Sequence, residues 1–305
     1  MTMTNVEKAP VTRRSVQPAG RFLTFRILVG GGLLACLVFC AAFAPLLAPF
    51  PPTEMDLLNS LSPPIWALGP DAMPGAEMHR LGTDSLGRDV LSNLLYGTRV
   101  ALYVAFVAGT LTMLTGTVLG LCAGYFGGRF DLIVSRLIDL WMCFPPIVLA
   151  MILMVALGAG VNNIILAIVL VDWTRFARVV RAETLVAARR DYVAAARLLG
   201  ISHWMILSRE LLPAIAHIVF TLLTLEMGIA VMVEALLSFA GMGVEPSIPA
   251  WGQMIADGRL YLYQNFWPML SPIVAIFLTV LSFNLLGDGL RKALDPKLKE
   301  TADGL

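Results

Sequence analysis

Several groups of residues in this chain could carry chemistry, and their spacing decides how far each can go. The stretch Gly82-Thr83-Asp84-Ser85-Leu86-Gly87-Arg88-Asp89 places two glycines as a phosphate-binding loop does, but such a loop needs a lysine and then a Ser or Thr hydroxyl after the second glycine. Arg88 stands in place of the lysine, Asp89 replaces the Mg²⁺-binding hydroxyl and Asp84 would repel phosphate. The segment reads instead as a turn leading into a short amphipathic helix. No other stretch matches, so any ATP hydrolysis must belong to another chain. His79, His203 and His217 lie in three separate segments, which gives no metal-ligand cluster, and no Ser/His/Asp or Cys/His set can be assembled. Cys36, Cys40, Cys122 and Cys143 all fall in apolar runs. Cys36 and Cys40 share a helix face at i, i+4, yet no His or carboxylate accompanies them, so core packing is expected rather than a metal site or a disulfide.

Three acids remain, each inside a long apolar stretch: Asp172, Glu226 and Glu234. Ionisable groups at membrane depth are costly and face protein or water rather than lipid. Eight residues separate the two glutamates, about 80° around a helix, so both can face one interior seam. For Glu234, a pathway or gate lining and a polar contact that only holds helices together stay equally open. For Glu226 and Asp172 the contact is favoured, with Glu226 kept among the pathway candidates.

The elements that must position these groups are membrane helices. A chain of 305 residues with 58% hydrophobic and 14% charged residues and a mean hydropathy of +0.78 is too apolar for a soluble domain. A membrane helix needs roughly 20 apolar residues. Stretches 27–50, 100–128, 211–239 and 266–287 qualify. Residues 140–171 are uncharged throughout and would make one helix of about 48 Å against a core of about 30 Å. The run Gly158-Ala159-Gly160-Val161-Asn162-Asn163 supplies a break, giving spans near 132–157 and 164–180. The fold class expected is therefore all-α, a polytopic bundle of six transmembrane helices. With both ends in the cytoplasm, only Arg80, Arg88, Arg99 and Arg259 of the 22 Lys and Arg fall outside, as the positive-inside rule requires. A five-span arrangement would expose the seven arginines from Arg175 to Arg209 and is rejected. Residues 1–20 read as a disordered cytoplasmic tail and not a cleaved signal. The Pro-rich stretch from Pro51 to Thr98 reads as an ordered external cap with little regular structure before Leu81.

Between the fourth and fifth spans, Asp191-Tyr192-Val193-Ala194-Ala195-Ala196-Arg197-Leu198-Leu199-Gly200 predicts a short helix capped by Asp191 and ended by Gly200 in the left-handed conformation. Ser202 is then placed to cap a second helix toward Leu212-Pro213. Tyr192, Ala195, Ala196 and Leu199 share one face at i, i+3, i+4 and i+7, while Arg190 and Arg197 stay solvated.

This segment resembles the cytoplasmic coupling loop, the Glu-Ala-Ala signature, of ABC importer permeases. Ala194-Ala195-Ala196, Gly200 and Leu212-Pro213 match it; Ala194 stands where the pattern has Glu, and Glu210 where isoleucine is usual. His79 to Ser92, Gly124-Tyr125-Phe126-Gly127-Gly128, Glu234 to Phe239, Pro249-Ala250-Trp251-Gly252, Asn284 to Arg291 and Leu294-Asp295-Pro296 resemble blocks of the dipeptide and oligopeptide branch, in order, over about two thirds of the chain. Within that branch the chain is similar to the shorter, C-type subunit. The resemblance implies the type I ABC importer permease fold, with residues 21–98 as N-terminal anchor and external loop. Residues 99–291 are then the permease domain, 182–213 its coupling loop, and 292–305 a cytoplasmic tail. It implies that Tyr192, Ala194, Ala195, Ala196, Gly200, Leu212 and Pro213 couple to an ATPase. It also implies a re-entrant external gate around Gly241, Gly243 and Trp251, although Trp251 and Trp267 would equally serve as interfacial anchors.

The implied activity is uptake of short peptides across the cell inner membrane by alternating access, with nickel or a metallophore as the alternative cargo. The partners implied are a second, homologous permease, two ATP-binding subunits that hold ATP and Mg²⁺, an extracytoplasmic solute-binding protein and membrane lipid. Neither a nucleic acid nor a cofactor or metal bound by this chain is expected.

Overall fold

The computed structural model describes residues 19–69, 75–245 and 247–294; the expectations for residues 1–18, for Pro70, Pro74 and Pro246 and for residues 295–305 lie outside them. Among the described residues the regular structure is helical, with one isolated β-bridge between Thr83 and Asp89. Helix α1 spans Ala19–Ala42 and a short α2 follows at Ala44–Leu47. The first span therefore ends earlier than the apolar run to Phe50, because Ala44-Pro45 disfavours continuation of the helix.

The next segment is irregular, with single turns at Leu57–Asn59, Ile65–Ala67 and Ala76–Met78, yet hydrogen bonds organise it. Leu61 N–H donates to the Asp84 carbonyl and Thr83 N–H to the Ser62 carbonyl, while the Thr83 hydroxyl donates to the Asn59 carbonyl. Asn59 Nδ2 donates to Asp56 at 2.7 Å and holds that carboxyl below the usual carboxylate range. Gly87 has φ +73 and packs on the Asp56 backbone with no room for a Cβ, which explains the second glycine of the stretch examined above.

Helix α3, Val90–Phe126, is one rod of 37 residues rather than a short amphipathic helix followed by a span. Asp89 caps it, its carboxylate accepting from the Ser92 N–H at 2.7 Å. Helix α4 covers Gly128–Met142 and α5 Pro146–Leu157, and the two are bent by 88°. The expected third span is thus broken at 143–145, where Pro145-Pro146 removes two backbone donors. The glycine break lies where predicted, Gly158 and Gly160 having φ of +82° and +145°, and α6 follows over Val161–Ala187. The coupling segment forms α7, Asp191–Leu198, and α8, His203–Ile206. Then come α9, Leu212–Phe239, α10, Trp251–Gly258, and α11, Trp267–Leu294.

By length and composition, four described helices can cross a membrane, or five with α4 and α5 as one bent span; six were expected. The remaining expected span is α6, which carries Asp172, Arg175, Arg178, Arg181 and Glu183 from near its middle onward. Helix α3 packs along both α6 and α9, α11 lies against α9 and α1, and α10 sits between α9 and α11. Cys36 and Cys143 are exposed on the chain's surface rather than packed in its core, since an apolar run in a bilayer can face outward as readily as inward.

The tightest seam is α3 on α6, and it rests on Gly116, Gly120 and Gly124. A Cβ added to them would lie 2.6 Å from the Phe176 Cβ, 2.7 Å from the Ala177 carbonyl oxygen and 2.7 Å from the Thr184 Cβ, respectively. Glycines four residues apart form a flat stripe along one helix face, the small-residue pattern that lets membrane helices approach closely.

Candidate functional site

The coupling element is built from the end of α3, the end of α6 and the α7–α8 pair. Asp191 is the first residue of α7 and Arg190 takes the cap position, while Ser202 occupies the cap position of α8 without using its hydroxyl. Asp191 therefore does not cap α7 as expected, while Ser202 takes the expected position at α8 without the side-chain bond. The helix end is as predicted: Gly200 has φ +74. Its N–H donates to the Arg197 carbonyl and the Ile201 N–H to the Ala196 carbonyl, at 3.0 and 3.1 Å, which is a Schellman motif. Leu207–Leu211 form a π turn before α9. Pro213, which cannot donate to the preceding turn, follows immediately, so the wide turn and the proline share one local irregularity.

The buried face of this element is not the expected one. Val193 and Ala196 are buried with Ile206, Leu207 and Leu211 against Phe176, Val180 and Tyr125. Tyr192, Ala194, Ala195 and Leu199 are exposed, so Ala196 serves the chain's own core rather than a close approach by a partner. The uncovered residues are large and apolar: Leu198 is 90% exposed, Leu199 79% and Trp204 69%. An eight-residue helix that is apolar on several sides gives periodicity no means to tell its own core face from one held for another protein.

Three residues that the sequence reading did not assign lock the element in place. Tyr125 Oη lies 2.8 Å from His203 Nδ1, and the Arg197 guanidinium sits 4.8 Å over the Tyr125 ring, so Arg197 is not simply solvated. Tyr125 stood in a quoted block, but nothing in its local pattern points to a histidine 78 positions on.

At membrane depth the acids separate into two places. Glu234 is fully buried and accepts from the Ser238 hydroxyl at 2.7 Å, with its other oxygen unpartnered by protein. Glu226 lies within electrostatic reach of Asp172 and Arg175, and Arg175 is also ion-paired with Asp172. The two glutamates thus have different partners on one helix instead of sharing a group.

Beyond α9 the irregular segment is fastened to its surroundings. Gly241 has φ +76 and ends α9 in a second Schellman motif, with the Met242 N–H donating to the Leu237 carbonyl at 2.9 Å. Gly243 packs on Ser238, and its carbonyl accepts from the Gly160 N–H at 3.1 Å. The α5–α6 connection and the segment after α9 therefore meet. Trp251 is 0% exposed, lies against Gly97 and donates from Nε1 to the Leu94 carbonyl at 3.1 Å. It is a buried clamp between α10 and α3, not an interfacial anchor. Arg88 pairs with Asp84 and reaches Asp257 of α10 at 3.4 Å, so the loop before α3 and the segment after α9 are tied together.

These features have counterparts in known proteins. The family described as binding-protein-dependent transport system inner membrane component matches residues 116–300, and the N-terminal TM domain of oligopeptide transport permease C matches residues 27–64. The chain is 39% identical to a glutathione transport system permease protein, GsiD, of Pectobacterium atrosepticum, over 92% of this chain and 90% of that one. It is also 39% identical to a di/tripeptide transport system permease protein, DppC, of Pseudomonas aeruginosa, over 89% of each. A solved chain of the inward-facing methionine ABC transporter MetNI superposes with a TM-score of 0.56 at 21% identity, covering 67% of this chain and 97% of that one, which establishes a shared fold. The family match covers well over half the sequence and the relatives nearly all of it, and the chain belongs to the binding-protein-dependent transport system inner membrane components.

Proposed function

We propose that this chain is the C-type permease subunit of an importer that moves short peptides across the cell inner membrane, driven by ATP hydrolysis in partner chains. The observation that carries the coupling half of this reading is the uncovered Leu198, Leu199 and Trp204 surface of the α7–α8 pair. An exposed apolar patch of that size outside the apolar spans marks a protein contact, and the ATP-binding subunit is the occupant the family supplies. Peptide as cargo is supported by relatives named for glutathione and di/tripeptide transport over nine tenths of the chain. The other proposed partners are a homologous second permease and a solute-binding protein. This chain itself binds no nucleotide; ATP and Mg²⁺ belong to the partner subunits.

Coexpression with the neighbouring permease, ATPase and binding-protein subunits, followed by reconstitution in liposomes, tests the reading. ATP-dependent accumulation of a radiolabelled dipeptide is expected, and absence of transport for di-, tri- and oligopeptides alike would overturn the peptide assignment. The orientation that accompanies this reading puts both termini and the α7–α8 pair in the cytoplasm and the segment before α3 outside. A cysteine replacing Ser60 should react with an impermeant thiol reagent in whole cells while one replacing Arg190 should not, and the reverse pattern inverts the topology.

A further inference from the structure

Helices α6 and α9 are joined to the α7–α8 pair by the chain itself, through residues 188–190 and through the π turn at Leu207–Leu211. Helix α3 is not, because α4, α5 and the whole of α6 intervene in sequence. It nevertheless meets the pair at the last two residues of its final turn. Tyr125 is buried, with Oη 2.8 Å from His203 Nδ1 and the Arg197 guanidinium over its ring. Phe126 stands edge-on to the rings of His203 and Trp204, at centroid distances of 5.9 and 6.1 Å. Trp204 belongs to the uncovered surface that the proposed function gives to the ATP-binding subunit, so the end of α3 lies directly against it.

The opposite end of α3 is fastened too. Trp251 of α10 lies on Gly97 and donates to the Leu94 carbonyl, while Arg88, just before the capping Asp89, reaches Asp257 of α10. Between these two attachments α3 runs for 37 residues with no proline, about 55 Å of helix at 1.5 Å per residue. A helix without a kinking residue or a π turn moves as a rod, and rigid elements of this kind carry displacement between distant sites.

We infer that the Tyr125–His203 contact, steadied by Arg197, is the joint through which the coupling element drives α3 and, at its far end, α10 and the segment after α9. Tyr125 and His203 are positioning residues that act through the helices they connect. Val193, Ala196 and Ile206 hold the pair on the bundle by apolar packing, which has no preferred direction. A hydrogen bond weakens steeply with misalignment, so the hydroxyl and the imidazole resist slip of α7–α8 along α3 where apolar contact alone does not. The joint rests on the coupling half of the reading in the preceding section.

The test uses the full importer reconstituted in liposomes, with dipeptide uptake and ATP hydrolysis measured together in complexes of wild-type stoichiometry. Tyr125→Phe removes the hydroxyl and keeps the ring for Arg197 and Phe126. Hydrolysis and retention of the ATP-binding subunit should be unchanged, while peptides moved per ATP fall about fivefold, the factor one net hydrogen bond commands. His203→Ala should do the same, and the double variant should be no worse than either single one, because the two residues share one interaction. His203→Asn, whose amide takes the place of Nδ1, should retain coupling. A nitroxide on Leu86→Cys in the loop before α3, with no other cysteine present, should change its spectrum on ATP binding in the otherwise unaltered importer and not in Tyr125→Phe. That readout needs no cargo and is independent of the peptide assignment. Wild-type peptides per ATP in Tyr125→Phe, or uptake and hydrolysis falling together, would make the contact a structural fastening and overturn the joint while the coupling reading stands. No spectral change in either protein, or an equal change in both, overturns it as well. If the unsubstituted permease does not retain the ATP-binding subunit, the coupling reading falls and the joint with it.

Discussion

Gly120→Leu should leave little folded chain in the membrane, with abundance reduced at least several-fold relative to wild type. The position looks innocuous, a glycine in an unbroken helix without unusual φ. Its role is the space above it. A Cβ would lie 2.7 Å from the Ala177 carbonyl oxygen, 2.9 Å from the Val180 Cβ and 3.0 Å from the Arg181 nitrogen. Two of these three neighbours are backbone and cannot rotate aside, so α3 and α6 must separate along a seam also set by Gly116 and Gly124. Overpacking a core typically costs about 1–3 kcal/mol where side chains can yield. Against backbone, and with a leucine rather than a methyl group, the cost lies beyond that range and takes a large share of a total stability of about 5–15 kcal/mol. A loss of 1–2 kcal/mol already changes abundance several-fold in cells. The matched control is Gly32→Leu in α1, where an added Cβ meets nothing within 4 Å. Membrane abundance by immunoblot and thermal unfolding in detergent decide the matter; wild-type values for Gly120→Leu would show that the helices have slack at this seam.

What the sequence made legible follows from which signals are local. The helix ends at Gly200 and at Gly158–Gly160 were readable because a positive φ leaves a glycine in the chain, and Arg88 and Asp89 alone set the stretch before α3 apart from the phosphate-binding loop pattern. Three features were not extracted. The 88° bend at 143–145 has a plain local signal in Pro145-Pro146, but an uninterrupted apolar run outweighed it. The stripe Gly116, Gly120, Gly124 was equally visible and went unused, because a helix built on small residues advertises nothing unless four-residue spacing is sought. The third, the Tyr125, His203 and Arg197 lock, depends on residues brought together by the fold of α6 and α7, and no spacing within one segment encodes it. Trp251 failed for a different reason. A tryptophan near a membrane surface suits an anchor and a buried clamp equally well, and only the open face of Gly97 on α3 distinguishes them.

Gly200→Val should abolish uptake and co-purification of the ATP-binding subunit while the permease reaches the membrane at wild-type abundance. A valine there meets no steric obstacle, since nothing lies within 4 Å of an added Cβ. The effect must therefore come from the backbone. At φ +74 a β-branched residue sits in a region it rarely adopts, at a cost of about 1–3 kcal/mol. An eight-residue helix has little stability of its own to absorb it. Relief of the strain would break the paired hydrogen bonds of Gly200 to Arg197 and of Ile201 to Ala196, and would swing Leu198 and Leu199 away from Trp204. Those three residues form the uncovered apolar surface, so losing their arrangement removes the contact without touching any membrane helix. Asparagine tolerates the left-handed conformation where valine does not. Gly200→Asn is accordingly expected to retain at least half of wild-type uptake. This contrast separates a conformational requirement from a need for bare space, because asparagine and valine add side chains of similar size. Uptake and ATPase co-purification are to be measured at matched membrane abundance for both variants. Full activity in Gly200→Val would show that the turn between α7 and α8 is only a connector, and equal loss in both variants would mean that the partner itself occupies the space over Gly200.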